Sequence, residues 1–350
     1  MGPVSHFLGH EFQWRSYQIE NENQLRLHLS QTAYADHLVD IARLSQSSKP
    51  VITPYRSGNP VDSITTQTTS KTQKQSLQDE MRQLVGSLNW LSQGMRPDLS
   101  TITSMLAKYQ NSPTPAHVTA AKNAIRYIKQ TRHLAISFDS NFQSNLQSFI
   151  NFPLDPLNTV ADANWGSQDL SNTPEHAQLP LFKSRSISGH IIFLYGPLHW
   201  QSKRQSITAR SSAEAEIYAT DECVRELTYI RNIFKNLGMQ KEFFSKPINI
   251  FNDNMACVQW SKNKTTPTIR HIQLRDNAVR ENIQRKLISI HHIPGAHNIP
   301  DIFTKEDRDK NHFISLREKV LFPPFKCNNT TYSMSKYKFE NFNIVRLDGS

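Results

Sequence analysis

Four acidic residues, Asp162, Glu216, Asp253 and Asp301, are of a type and in a pattern that could do chemistry together. The orientation of Glu216 follows from spacing. Cys223, Leu227, Ile230, Phe234 and Leu237 recur near the helical period of about 3.6 residues and define the buried stripe of a long helix from Ser212 to about Leu237. Glu216 precedes Cys223 by seven residues, close to two turns, and so lies on that stripe, whereas Glu214 falls roughly opposite and is expected to face solvent. An inward carboxylate is costly unless a cation or hydrogen bonds receive it, although an acid near a helix start also complements the helix dipole. Asp253 ends the apolar strand Ile250-Phe251-Asn252, where α/β sheets commonly meet ligands and where Asp is also an ordinary cap. Asp162 stands inside the strand segment Val160-Ala161-Asp162-Ala163-Asn164-Trp165, a place that disfavours Asp. Asp301 follows Pro300 in a helix's first turn, where an acid is commonplace. Singly none is decisive; delivered facing inward by two strands and two helices of one unit, they would make an oxygen-ligand site suited to Mg²⁺ or Mn²⁺.

The elements that must position these acids begin near Asn158. Strands at Thr159–Trp165, His190–Tyr195 and Leu198–Ser202, the long helix, a strand at Ile248–Asn252, a helix from Asn254, a basic helical stretch at His271–Lys286, a strand at Ile288–Ile293 and a helix near Pro300 interleave as in an α/β unit. Upstream, short strands around Phe12–Gln18 and Leu25–Leu29 precede a helix from Thr32 to Leu44. Residues 46–75, rich in Ser, Thr, Gln and Pro, are expected to form a polar linker, and three helices follow from Ser76. Residues 326–350 are expected to be a poorly ordered tail.

A chain of 350 residues is long enough for two compact units. Forty Lys and Arg against thirty Asp and Glu give a net charge of +10, which favours a polyanionic partner such as nucleic acid; a basic protein without a particular partner is the competing reading. The three cysteines, Cys223, Cys257 and Cys327, have no short metal-ligand spacing, which argues against a disulfide framework and a structural zinc. No stretch approaches the roughly 20 apolar residues needed to cross a bilayer, and the N-terminus lacks the pattern of a signal peptide, so a soluble chain is expected.

Further motifs occur in a telling order. Asp162-Ala163-Asn164-Trp165-Gly166 is followed by Ser186-Ile187-Ser188-Gly189 and Trp200 through Gln205, by Ser211-Ser212-Ala213-Glu214-Ala215-Glu216, by Asn252-Asp253-Asn254, and by Ile293-Pro294-Gly295 with Pro300 through Lys305. Upstream stand Gly2-Pro3-Val4 with Phe7-Leu8-Gly9, Leu84 through Leu91, Arg96-Pro97-Asp98, and Ala120-Ala121-Lys122 with Arg126 through Lys129. Over about residues 2 to 325 this pattern resembles the Pol polyprotein of copia-like LTR retrotransposons, from the end of the reverse transcriptase through its ribonuclease H domain. Two departures stand out: Asn164 occupies a position where the family usually has a second Asp, and about Gln168 to Lys183 looks like an insertion.

The resemblance implies an α/β fold, a ribonuclease H-like mixed sheet flanked by helices over residues 155–325, preceded by a helical thumb or connection region (76–140) and a remnant of the palm (1–45). It implies hydrolysis of the RNA strand of an RNA/DNA hybrid with two Mg²⁺ or Mn²⁺ ions held by Asp162, Glu216, Asp253 and Asp301. His297, four residues before Asp301, is a candidate proton shuttle, with a plain loop histidine as the alternative. Lys203, Arg204, Arg270, His271 and Arg275 are candidate hybrid contacts, in competition with ordinary solvated charges. The polymerase's own Asp pair would lie upstream of Met1, which is expected to start inside a domain, so independent DNA synthesis is not expected. The implied partners are the hybrid and the element's remaining Pol or Gag polypeptides, with no membrane and no small-molecule cofactor. The implied location is the cytoplasm, a virus-like particle where the element is active, or the nucleus. A catalytically silent nucleic-acid-binding remnant is the alternative function.

Overall fold

A computed structural model describes residues 4–19, 22–44, 51–55, 61, 71–139, 142–166, 185–239, 243–262, 273–306 and 309–322. The chain divides into two compact units, Met1–Phe142 with Arg317–Ser350, and Gln143–Leu316. The expected insertion at about 168–183 and the tail at 326–350 lie outside the described residues. Among the described residues no helix is long and apolar enough to cross a membrane.

In the first unit β1 (His6–Phe7), β2 (His10–Ile19), β3 (Glu22–Ser30) and β4 (Ile136–Phe138) form an antiparallel sheet in that order. Leu8 and Gly9, both at positive φ, turn β1 into β2, the geometry that lets a two-residue hairpin follow strand twist. Helices α1 (Thr32–Ile41), α2 (Lys71–Gly94), α3 (Ser100–Ala107) and α4 (Pro115–Thr131) bury Leu38, Leu84, Leu88, Leu91, Ile102, Leu106, Ile125 and Ile128. Helix α2 starts inside the stretch expected to be linker. Its first buried apolar side chain, Met81, comes ten residues in, so the apolar period that marks a helix in sequence is missing from its first turns.

At the centre of this unit the fully buried Asp98 carboxylate accepts two hydrogen bonds from Arg96, at 2.9 and 2.8 Å, and one from the Tyr127 hydroxyl at 2.5 Å. Arg317 Nη1 donates to that hydroxyl at 3.3 Å, and Phe322 bridges to Ala135. The second unit therefore ends at Leu316 rather than near residue 325, because Arg317 through Phe322 return to complete the first.

The second unit opens with most of α5 (Phe142–Ile150), an element not anticipated from sequence. Its sheet has the order β7-β6-β5-β8-β9, with β5 (Leu157–Asn164) central. Strands β6 (Ile187–Leu194) and β7 (Pro197–Arg204) add antiparallel on one side; β8 (Ile248–Asn252) and β9 (Ile288–His292) add parallel on the other. The parallel additions need crossovers, which helix α6 (Ser212–Asn236) provides before β8, and α7 (Met255–Lys262) with α8 (Gln273–Gln284) before β9. Leu157, Ala161, Ile192, Ile217, Cys223, Leu227, Ile250 and Ile290 share one core. The stripe expected on α6 holds through Ile230, but Leu237 is 64% exposed at the helix's C-cap.

Two short helices, α9 (Asp301–Thr304) and α10 (Lys310–Arg317), follow β9. Helix α9 comes down on β6 at Gly189, where an added Cβ would stand 2.6 Å from Thr304 Cγ2 and 2.8 Å from Phe303 Cβ. Gly189→Ala is therefore expected to destabilise the second unit by about 1–3 kcal/mol, measured by thermal or urea unfolding. Gly86→Ala in α2, where a Cβ meets nothing within 4 Å, should instead stabilise by about 0.5–1 kcal/mol.

Candidate metal centre

Strand β5 is buried along its length through Ala163, so the Asp162 carboxylate is only 1% exposed inside the sheet. Two neutral donors meet it. Asn298 Nδ2 donates to Oδ1 at 2.7 Å and the Thr304 hydroxyl donates to Oδ2. These donors stand three residues before and three after Asp301, so one short stretch of chain around the start of α9 brings a second acid and both supports to Asp162. Asp301 Oδ1 accepts from Asn298 at 2.9 Å and from Lys305 Nζ at 2.6 Å; His312 Nε2, on α10, lies 3.3 Å from Oδ2. Asp253 follows the C-terminal end of β8, as expected of a ligand position in an α/β sheet. One oxygen from each of Asp162, Asp253 and Asp301 lies within 4.8 Å of the others.

Glu216 is 4% exposed, in agreement with its helical phase. Its Oε2 accepts from Asn252 Nδ2 at 2.9 Å, and the same amide donates to Ala161 O at 3.1 Å, tying the acid of α6 to the backbone beside Asp162. Glu214 does more than face solvent: Ser211 Oγ accepts from Glu214 N, and Glu214 Oε2 accepts from Arg210 N at 2.6 Å, a capping arrangement that starts α6.

Burial, reinforced by the charge of Asp162, pushes the carboxyl groups of Glu216, Asp253 and Asp301 upward, Asp301 to about 6. Burial alone would lower the Lys305 ammonium, but the attraction of Asp162 and Asp301 outweighs it and raises the group. Hard oxygen donors with surplus negative charge, destabilised by mutual repulsion, suit a divalent cation, and the acidic triad could hold one.

The other expected residues are spread more widely. His297 sits in a short 3-10 turn with its ring against Phe149, centroids 4.8 Å apart; among the described residues the histidine that meets a carboxylate of the cluster is His312. Lys203 and Arg204 lie on the edge strand β7, Lys203 58% exposed and 3.8 Å from Glu222. Arg275 lies in α8, and Arg270 and His271 fall outside the described residues. Asn252, Thr304 and Lys305 stand inside the motifs read from sequence without a role of their own there, and Asn298 and His312 were not singled out. The spacing of three residues on either side of Asp301 would have found Asn298 and Thr304; no local pattern points to His312.

The raised carboxyls bear on stability. Their folded values exceed the unfolded ones, so the folded state holds more protons, for Asp301 from about pH 4 to 6, and that stabilisation is lost as pH rises through each folded value. Asn mimics the protonated form. Asp253→Asn should therefore raise the metal-free melting temperature at pH 7.5 by about 2–4 °C, the gain vanishing near pH 4, as followed by calorimetry across pH.

No protein-family profile matches the chain. Curated relatives do. The retrovirus-related Pol polyprotein from transposon RE2 of Arabidopsis thaliana is 28% identical over 282 residues, covering 80% of this chain and 17% of its own length. That from transposon RE1 of the same plant is 27% identical, with the same shares covered, and that from transposon TNT 1-94 of Nicotiana tabacum is 24% identical over 87% of this chain and 20% of its own length. The chain thus spans about a fifth of the length of the curated relatives it matches. Over most of its length the chain is thus similar to the copia-like, retrovirus-related Pol polyproteins of retrotransposons.

Proposed function

We propose that the second unit is a ribonuclease H that hydrolyses the RNA strand of an RNA/DNA hybrid. The observation that carries this reading is the convergence of Asp162, Asp253 and Asp301 within 4.8 Å, with Glu216 buried beside them. The mixed sheet with Asp162 in its central strand supports a ribonuclease H-like fold, and the Pol relatives support the retroelement setting. Two divalent ions held by the four acids would acidify the attacking water and neutralise charge on the leaving 3′-oxygen.

The chain's own work is to fix oxygens. Asn298 and Thr304 orient both Asp162 oxygens, Asn252 orients Glu216, and His312 meets Asp301, which Lys305 also contacts in the metal-free chain. A site assembled this way enters the reaction with little left to order. Lys203 and Arg204, on the edge strand β7, are suited to phosphates of the hybrid, and contacts to 2′-hydroxyls would select the RNA strand. The remaining Pol or Gag polypeptides of the element are the proposed protein partners.

The test is cutting of an end-labelled RNA/DNA hybrid by the purified full chain in Mg²⁺. Cleavage confined to the RNA strand is expected, with Asp162→Asn and Asp253→Asn slowing it by at least about a hundredfold while the hybrid is still bound. A folded chain that binds the hybrid without cutting it would sink the enzyme reading in favour of a silent remnant. Equal rates for the Asn variants would remove the site assignment.

A further inference from the structure

The carboxylate cluster carries its own positive charge. Among the described residues, the Lys or Arg in ion-pair contact with any of the three clustered acids is Lys305, whose Nζ is 2.6 Å from Asp301 Oδ1. That oxygen also accepts from Asn298 Nδ2, which donates as well to Asp162 Oδ1, so the ammonium stands on the side of Asp301 that is tied to Asp162. Two features make this contact releasable. Lys305 is the residue after α9 and has extended backbone, φ −110° and ψ 128°, so no helix packing fixes its stem. Its side chain is also 44% exposed, while that of Asp301 is 11% exposed, so the lysine can swing to water and the acid cannot. An ammonium is a compact point charge with three donors on a flexible stem, the side chain best able to stand in for a cation and then leave.

We infer that Lys305 is the resident counter-cation of this cluster, holding Asp301 in place until a divalent ion takes the same oxygens and displaces it. This rests on the metal-dependent reading of the site, and it assigns Lys305 a positioning role rather than a catalytic one. The alternative, a purely structural lysine, predicts that its removal loosens the site and weakens metal binding. A competing counter-cation predicts the opposite sign.

The experiment measures Mn²⁺ binding to the full chain at pH 7.5 and fixed ionic strength, by calorimetry and by the Mn²⁺ electron-paramagnetic-resonance signal. Lys305→Met should lower the metal-free melting temperature yet bind Mn²⁺ about threefold to tenfold more tightly, and Lys305→Arg, which keeps the charge, should stay within about twofold of the parent. Unchanged or weaker binding by folded Lys305→Met overturns the inference, as does absence of Mn²⁺ binding by the parent chain. Should Lys305→Met not fold, the parent chain decides: Mn²⁺ should speed modification of Lys305 by an amine-reactive reagent, read by mass spectrometry, and an unchanged rate overturns the inference. Hybrid cleavage with unchanged Lys305 labelling removes this inference alone. Displacement of Lys305 by Mn²⁺ without hybrid cleavage removes the ribonuclease reading and leaves the counter-cation standing.

Discussion

The second unit is organised around the repulsion among carboxylates gathered at Asp162. Two unit charges about 5 Å apart cost about 3 kcal/mol at an effective dielectric constant near 20, and a hydrogen bond to a charged group returns roughly 1.5–3 kcal/mol. The two neutral donors on Asp162 therefore offset about one to two repulsive pairs, and three acids make three pairs. What remains is drawn from Lys305, from the shared Asn298 amide and from upward shifts in protonation. Fold-level features follow from this: the glycine opposite Asp162 on β6 leaves room for α9, and the buried Asn252 spends its amide on Glu216 and β5.

The first unit shows what a balanced ionic cluster looks like. Asp98 is as deeply buried as Asp162, but it meets Arg96 and a tyrosine hydroxyl that in turn contacts Arg317, and Glu318 lies 3.8 Å from Arg317. Positive and negative charges there answer one another, and burial raises Tyr127 so that it stays a neutral donor. That network has a structural use, since it joins Arg317 to α4 and closes the unit. Among the described residues, the cluster at Asp162 keeps an excess of one sign. An excess that protein groups leave uncompensated is where a ligand of opposite charge fits, and this separates a candidate site from a buried structural ion pair more reliably than burial does.

How much of this was legible in sequence depended on whether the determinant was local. Helical phase placed Glu216 inward and separated it from Glu214, although the capping duty of Glu214 needed the turn before α6 to be seen. An acid inside the strand at Asp162 and one at the strand end at Asp253 were visible because each breaks a local preference. Leu237 misled, because an apolar period continues along a helix after the sheet beneath it has ended. Strand β4 is three residues long and is defined by pairing with β3 across more than a hundred residues, and the return of Phe322 to Ala135 is likewise non-local. His312 belongs to the same class, since its partner is set by how α10 comes back to α9.

Asp301 shows how apolar packing sets polar geometry. A helix of four residues cannot persist on its own hydrogen bonds, because nucleation costs more than so few bonds return. Helix α9 exists because Ile302 and Phe303, 2% and 0% exposed, are buried where it packs on β5 and β6, a contribution of about 1.5–3 kcal/mol each. With those two side chains pinned, the residues on either side, Asp301 and Thr304, have one direction left, toward Asp162. The position of the third acid is therefore held by hydrophobic burial, which does not titrate and is not screened by ions, while the charges it brings together respond to pH and to screening. That division lets the cluster exchange one cation for another without moving its frame.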